Sequence, residues 1–141
     1  IVKRDPIAVI RSTIKASEDF FGKGSNLLWG LYPDNHFETN HYENIIEAAT
    51  AQYLELDKLL NEKIKKLKSD SYIIIDYQEF CKNPSKIQFE IINRLKPKIK
   101  IDENEITIME EPFEISNRLS NNDLDNKIVE YLNKLQKQTS E

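Results

Sequence analysis

The stretch IVKRDPIAVIRS, residues 1–12, decides the fold because it joins the end of a strand to the start of a helix. Residues 1–4 are typical of a strand that is already under way. Asp5 is a favourable N-cap, and Pro6 suits the first helical position, where its missing N–H would have no partner. Apolar residues then recur at helical spacing and predict a first helix over about residues 6–20.

The next 50 residues predict a loop and a long helix. Residues 22–40 are rich in Gly, Asn, Pro and Asp and contain several aromatic residues, which favours a long loop. Asn40, with Glu43 three residues later, resembles a capping box. An amphipathic pattern follows as far as Leu67, and its lysine-rich end suits the negative pole of a helix.

The second half of the chain repeats the order of strand and helix. Residues 72–76 begin with a β-branched run and predict a buried strand. Asn83 and Pro84 predict the start of another helix that ends before Pro97. Residues 99–109 remain ambiguous, with a short strand as one interpretation. Ser120 with Asp123 predicts a last helix, and the two strands joined through helices predict a parallel pair.

Composition limits the classes of function. The chain has 141 residues and a net charge of −4, which argues against broad nucleic-acid binding. No apolar run approaches the ~18 residues of a membrane helix. The single cysteine, Cys81, excludes an internal disulfide and a cysteine-based zinc site and favours a reducing, cytoplasmic location.

Arg4 and Ser12 form the first constellation that could carry chemistry. Arg4 leaves the carboxyl end of a strand, where α/β proteins place their ligands, and its guanidinium can hold a phosphate through two hydrogen bonds. Ser12 lies on the following helix between Ala8 and Ala16, whose small side chains leave room for a ligand. The alternative is a surface arginine paired with a carboxylate and a serine that only packs.

The pattern from Arg4 to Ser12 resembles the R-D-P-x-x-V-x-x-S block of the sulfotransferases that use 3′-phosphoadenosine 5′-phosphosulfate. In that family the arginine and the serine eight residues later bind the 3′-phosphate of the donor. The resemblance therefore implies that Arg4 and Ser12 bind the cofactor.

A second block is similar to the same family. Residues 72–80, YIIIDYQEF, followed by Asn83-Pro84, resemble the family's strand, its Y-E-D-L motif and its next helix start. The family tyrosine lies near the adenine, and Tyr77 matches it. Gln78 and Glu79 depart from the family's acidic pair. The resemblance covers roughly residues 1–96 and implies a helix-rich α/β fold, part of a three-layer P-loop NTPase-like unit with a few parallel strands.

The family's phosphosulfate loop, P-K-[ST]-G-[ST], has no match in residues 1–141. The resemblance therefore implies that residues 1–141 are the C-terminal portion of a single sulfotransferase domain. This portion would hold the 3′-phosphate side of the site, no catalytic residue and no metal, and would be inactive alone. The donor nucleotide and an acceptor that the sequence does not identify are the expected small-molecule partners.

Other polar residues have simpler interpretations. Residues 22–25, GKGS, follow a helix rather than a strand and predict a plain turn. His36 and His41 could act as bases but are expected to be exposed loop residues. Arg118 could contact a phosphate, although no motif supports it. A non-enzymatic helical module, using the aromatic loop and the long helix to bind a partner protein, is the alternative function.

Overall fold

A computed structural model describes residues 1–25, 27–30, 42–100, 102, 106–114 and 122–138. The described part is mostly helical with two short parallel strands, which is a helix-rich α/β arrangement. It divides into two compact units. The first unit holds residues 1–4 and 68–114 of the described chain, and the second holds residues 5–67 and 122–138.

The first unit is built on a parallel pair of strands, β1 (Val2–Lys3) and β2 (Ile75–Asp76). Val2 pairs with Ile75 and Lys3 with Asp76, which confirms the predicted parallel neighbours. The N–H of Ile75 donates to the Ile1 carbonyl at 2.8 Å and lengthens the pairing. The ladder is shorter than predicted, because β1 offers only two residues for pairing.

Two helices follow β2 in the first unit, α3 (Tyr77–Lys82) and α4 (Pro84–Leu95). The start of α4 at Pro84 confirms the sequence prediction, although the Asn83 side chain makes no capping bond. The sequence analysis missed α3. Within the described residues of 99–109, no strand forms.

The second unit begins with α1 (Pro6–Phe21), which matches the predicted first helix. A carboxylate oxygen of Asp5 accepts the N–H of Ala8 at 2.9 Å, so Asp5 is the N-cap. Ile10 and Ile14 are buried on its inner face. The predicted cap and the predicted apolar spacing are both confirmed.

Helix α2 (Ile45–Lys65) begins later than predicted. Its N-cap is Asn44, whose side-chain oxygen accepts the N–H groups of Ile46 and Glu47. The prediction of a start at Asn40 is therefore wrong. Asn44 and Glu47 have the same Asn-x-x-Glu spacing as Asn40 and Glu43, and the later pair stands at the observed start of the helix. Asn40 itself lies outside the described residues.

Helix α5 (Asn122–Gln138) completes the second unit by packing against α1 and α2. The three helices enclose one apolar core, which also includes Leu28. Its buried members are Ile10, Ile14, Leu28, Ala48, Ala49 and Ile128. The Nε and Nη2 groups of Arg11 donate to the two carboxylate oxygens of Asp125, each at 2.8 Å, and this pair ties α1 to α5. The described start at Asn122 is close to the predicted one, and Ser120 lies outside the described residues.

Candidate functional site

Arg4 and Tyr77 lie side by side in the first unit. Arg4 follows β1 directly and Tyr77 follows β2 directly, so both residues leave the carboxyl ends of the parallel pair. The guanidinium carbon of Arg4 lies 4.9 Å from the centre of the Tyr77 ring, which is a cation–π distance. The structure therefore brings together two of the three predicted site residues.

The N–H groups of Arg4 have no acceptor in the part of the chain that the structure describes. The two other described arginines are engaged, Arg11 by the carboxylate of Asp125 and Arg94 by the carbonyl of Tyr72. A stacked guanidinium keeps its five donors along its edge. Arg4 is thus a positive group at a sheet edge that can accept an anion without breaking another bond.

Cys81 lies one helical turn after Tyr77 and contacts its hydroxyl. The hydrogen bond with this thiol is the main cause that raises the pKa of Tyr77, and the positive charge of Arg4 acts in the opposite direction. Tyr77 is therefore a neutral phenol at physiological pH, and its ring keeps one charge state. Cys81 itself is buried. The sequence analysis missed this contact, which the four-residue spacing on a helix could have shown.

Helix α3 is fixed at both ends, and this fixes the direction of Tyr77. Asp76 caps the helix by accepting the N–H of Glu79 at 2.8 Å. At the other end the Cys81 carbonyl accepts the N–H of Phe113 at 2.8 Å, and the Phe113 ring packs against Phe80. The order Asp-x-x-Glu over residues 76–79 is a capping signal that the sequence analysis did not use.

Ser12, the third predicted residue, belongs to the second unit and is described there by itself. It is half-buried on α1, one turn after Ala8 and one turn before Ala16. Its hydroxyl donates to the Ala8 carbonyl at 2.7 Å. To donate to a ligand, the hydroxyl would have to leave this carbonyl, which remains bonded within the helix.

The remaining sequence candidates include three that the structure does not describe. His36, His41 and Arg118 lie outside the described residues. Residues 22–25 form the predicted turn after α1, with Gly22 and Gly24 at positive φ. A shallow cavity of about 170 Å³ beside α4 contains Arg94 and Lys98, but backbone carbonyls hold both cations.

The described residues offer neither a metal-binding cluster nor a membrane-spanning helix. No group of three or more His, Cys, Asp or Glu residues in these ranges is arranged to hold a metal ion. Over the same part of the chain, no helix combines the length and apolar character needed to cross a bilayer.

Comparison with known proteins found no matching family model, no similar curated protein and no similar solved structure.

Proposed function

We propose that residues 1–141 hold the 3′-phosphate and adenine side of a binding site for 3′-phosphoadenosine 5′-phosphosulfate in a sulfotransferase. The proposal includes the three-layer P-loop NTPase-like fold of that family. The observation that carries it is the stacking of Arg4 on Tyr77 at the carboxyl ends of two paired parallel strands. Both residues also lie in the two sequence blocks that resemble the sulfotransferases, Arg4 in the first and Tyr77 in the second.

The chemistry of the pair suits a nucleotide that carries a phosphate beside its base. The N–H edge of the Arg4 guanidinium would bind the 3′-phosphate with charge-assisted hydrogen bonds. The Tyr77 ring would give the adenine an aromatic surface. Ser12 would add one hydroxyl donor once it leaves the Ala8 carbonyl, so its contribution is expected to be smaller than that of Arg4.

The whole reaction would transfer a sulfuryl group to an acceptor hydroxyl or amine. The acceptor atom forms a bond to sulfur as the bond to the phosphate oxygen breaks, adenosine 3′,5′-diphosphate leaves, and the acceptor gives up a proton. Residues 1–141 contain no phosphosulfate loop. The proposal therefore gives these residues the binding of the nucleotide and no catalytic role.

The test measures calorimetrically how adenosine 3′,5′-diphosphate and adenosine 5′-phosphate bind to the wild type and to Arg4→Ala. Loss of a charge-assisted hydrogen bond costs about 1.5–3 kcal/mol, or roughly ten- to a hundredfold in affinity. We expect this loss for the diphosphate and a much smaller one for the monophosphate. Arg94→Ala, an arginine of the same unit that bonds a carbonyl, is the matched control.

Tyr77→Phe and Tyr77→Ala separate the ring from the hydroxyl. Phe keeps the aromatic face and should bind the diphosphate almost as well as the wild type, whereas Ala should bind both nucleotides more weakly. Equal losses for both nucleotides in Arg4→Ala would mean that Arg4 only supports the fold. Failure of the wild type to bind the diphosphate would contradict the proposal itself.

A further inference from the structure

The second half of α2 carries an apolar stripe that continues beyond the core of its unit. The stripe consists of Leu56, Leu60 and Ile64 on the helix and Leu67 in the turn that ends it. Their spacing of four, four and three residues puts them on one helical face. The buried residues of α2, in contrast, all lie between positions 47 and 52.

The stripe is open to solvent. The exposed fractions of Leu56, Leu60 and Leu67 are 37%, 38% and 49%. Single exposed leucines are ordinary on a protein surface, but a row of them along three turns of one helix is typical of a contact between helices.

The charges of α2 are divided between the two ends of this stripe. Glu55 and Asp57, with Lys58, lie near its start, while Lys63, Lys65 and Lys66, with Glu62, lie near its end, so the first end is net negative and the second end is net positive. A parallel pair of such helices would place like charges at the same level. An antiparallel pair would place each acidic end level with the basic end of the other helix, and it would also oppose the two helix dipoles favourably.

We infer that the stripe binds a second copy of this chain, with the two α2 helices antiparallel and centred on Leu60. In this arrangement Leu56 of one copy lies opposite Ile64 of the other. Asp57 lies at the level of Lys63 of the second copy. The inference rests on α2 alone and is independent of the proposed nucleotide site.

The contact is short and predicts a weak dimer. A stripe of three turns covers less than the ~1,200–2,000 Å² that stable interfaces bury in total. We therefore expect a monomer in dilute solution and a dimeric fraction that grows as the protein concentration rises.

Sedimentation equilibrium of the 141-residue chain over a concentration series tests the dimer. Leu60→Glu puts two carboxylates face to face at the centre and should raise the dissociation constant by about a hundredfold or more. Val129→Glu on α5, where the native side chain is 41% exposed, adds the same charge elsewhere and should leave it unchanged. A wild type that remains monomeric, or a dimer that Leu60→Glu does not weaken, overturns the inference.

Two further measurements keep the test decisive. Far-ultraviolet circular dichroism checks that Leu60→Glu folds, and Leu67→Glu, at the more exposed end of the stripe, replaces it if it does not. Cysteines at positions 56 and 64 then report the orientation. When Leu56→Cys is mixed with Ile64→Cys and treated with an added thiol oxidant, the mixed disulfide should predominate, because the antiparallel pair puts position 56 of one copy opposite position 64 of the other. The native Cys81 is buried and should not compete. Predominant 56–56 and 64–64 disulfides would mean a parallel pair and would contradict the inference.

Discussion

Glu47 shows how one carboxylate ties two helices of the second unit together. Its side chain is 6% exposed, accepts the N–H of Glu43 at 2.8 Å and pairs with Lys134 of α5 at 2.9 Å. The bond from the Glu43 N–H is the main cause that lowers the pKa of Glu47, and the contact with Lys134 adds to it. Burial acts in the opposite direction but does not prevail.

A lowered pKa in the folded state makes part of the stability depend on pH. The contribution of Glu47 is complete above the ordinary carboxyl pKa of 4.5 and is lost as pH falls through the lower folded value. We therefore expect the thermal midpoint to fall when the pH is lowered below about 4.5. Glu47→Gln should be less stable than the wild type at pH 7, and its thermal midpoint should fall less as the pH is lowered.

The measurement is thermal unfolding, followed by circular dichroism, at a series of pH values. Glu62→Gln removes an exposed carboxylate from the same helix and serves as the control. The thermal midpoint of the control should fall with pH as much as that of the wild type. An equal fall in Glu47→Gln and the wild type would show that other groups produce the acid dependence.

At the scale of the element, the start of α2 depends on Asn44. Its side chain accepts two backbone N–H groups and also donates to the hydroxyl of Tyr131 at 2.6 Å. Asn44→Ala should therefore lower the free energy of unfolding by about 1–2 kcal/mol, whereas Asn44→Asp keeps the acceptor and should lose less. Urea titration measures the difference.

Asn40→Ala is the matched control, because Asn40 is the cap that the sequence alone favours. It should change the unfolding free energy less than Asn44→Ala does, because the N-cap of α2 is Asn44. A larger loss at Asn40 than at Asn44 would contradict the observed helix start.

These two asparagines illustrate how far local sequence determines the elements. Asp5 and Pro6 were predictable because a cap and a first-turn proline act within a few residues of each other. The start of α2 was not predictable, since two consecutive Asn-x-x-Glu patterns, at residues 40–43 and 44–47, satisfy the same rule. The length of β2 was not predictable either, because the partner strand β1 offers only two residues for pairing.

The candidate site was predictable in part, because each of its two residues directly follows a strand that the sequence indicates. The neighbourhood of Arg4 and Tyr77 follows from two strands that pair in parallel, and the sequence indicates both strands. The hydroxyl contact of Tyr77 with Cys81 depends on α3, a helix of six residues that has too few apolar positions to show a period. The engagement of Arg11 by Asp125 joins residues 114 positions apart, beyond the reach of local patterns.

At the scale of the whole molecule, large apolar side chains are exposed on both units. Phe89 in the first unit is 53% exposed and Phe20 in the second is 67% exposed. Phe20 also packs against Trp29 with the ring planes tilted by 57°, and Trp29 is itself 47% exposed. A sheet of two strands of two residues adds little stability of its own. This exposed apolar surface favours self-association and dye binding by the isolated chain.

We expect the isolated chain to enhance the fluorescence of a hydrophobic dye at neutral pH while its helical circular dichroism is retained. The double variant Phe20→Gln/Phe89→Gln should reduce this enhancement, and Lys58→Gln on the polar side of α2 should not. A sharp cooperative thermal transition with no dye enhancement would contradict the expectation.

The pairing of β1 with β2 also has a consequence for synthesis on the ribosome. The bond from the nitrogen of Ile1 to the Ile73 carbonyl spans 72 positions, and β1 cannot pair with β2 until β2 has emerged. At about 5–20 residues per second, this interval lasts roughly 4–14 s. During that time the edge of β1 that later pairs with β2 is open to chaperones and to neighbouring chains, and the Arg4–Tyr77 pair can assemble only after the interval ends.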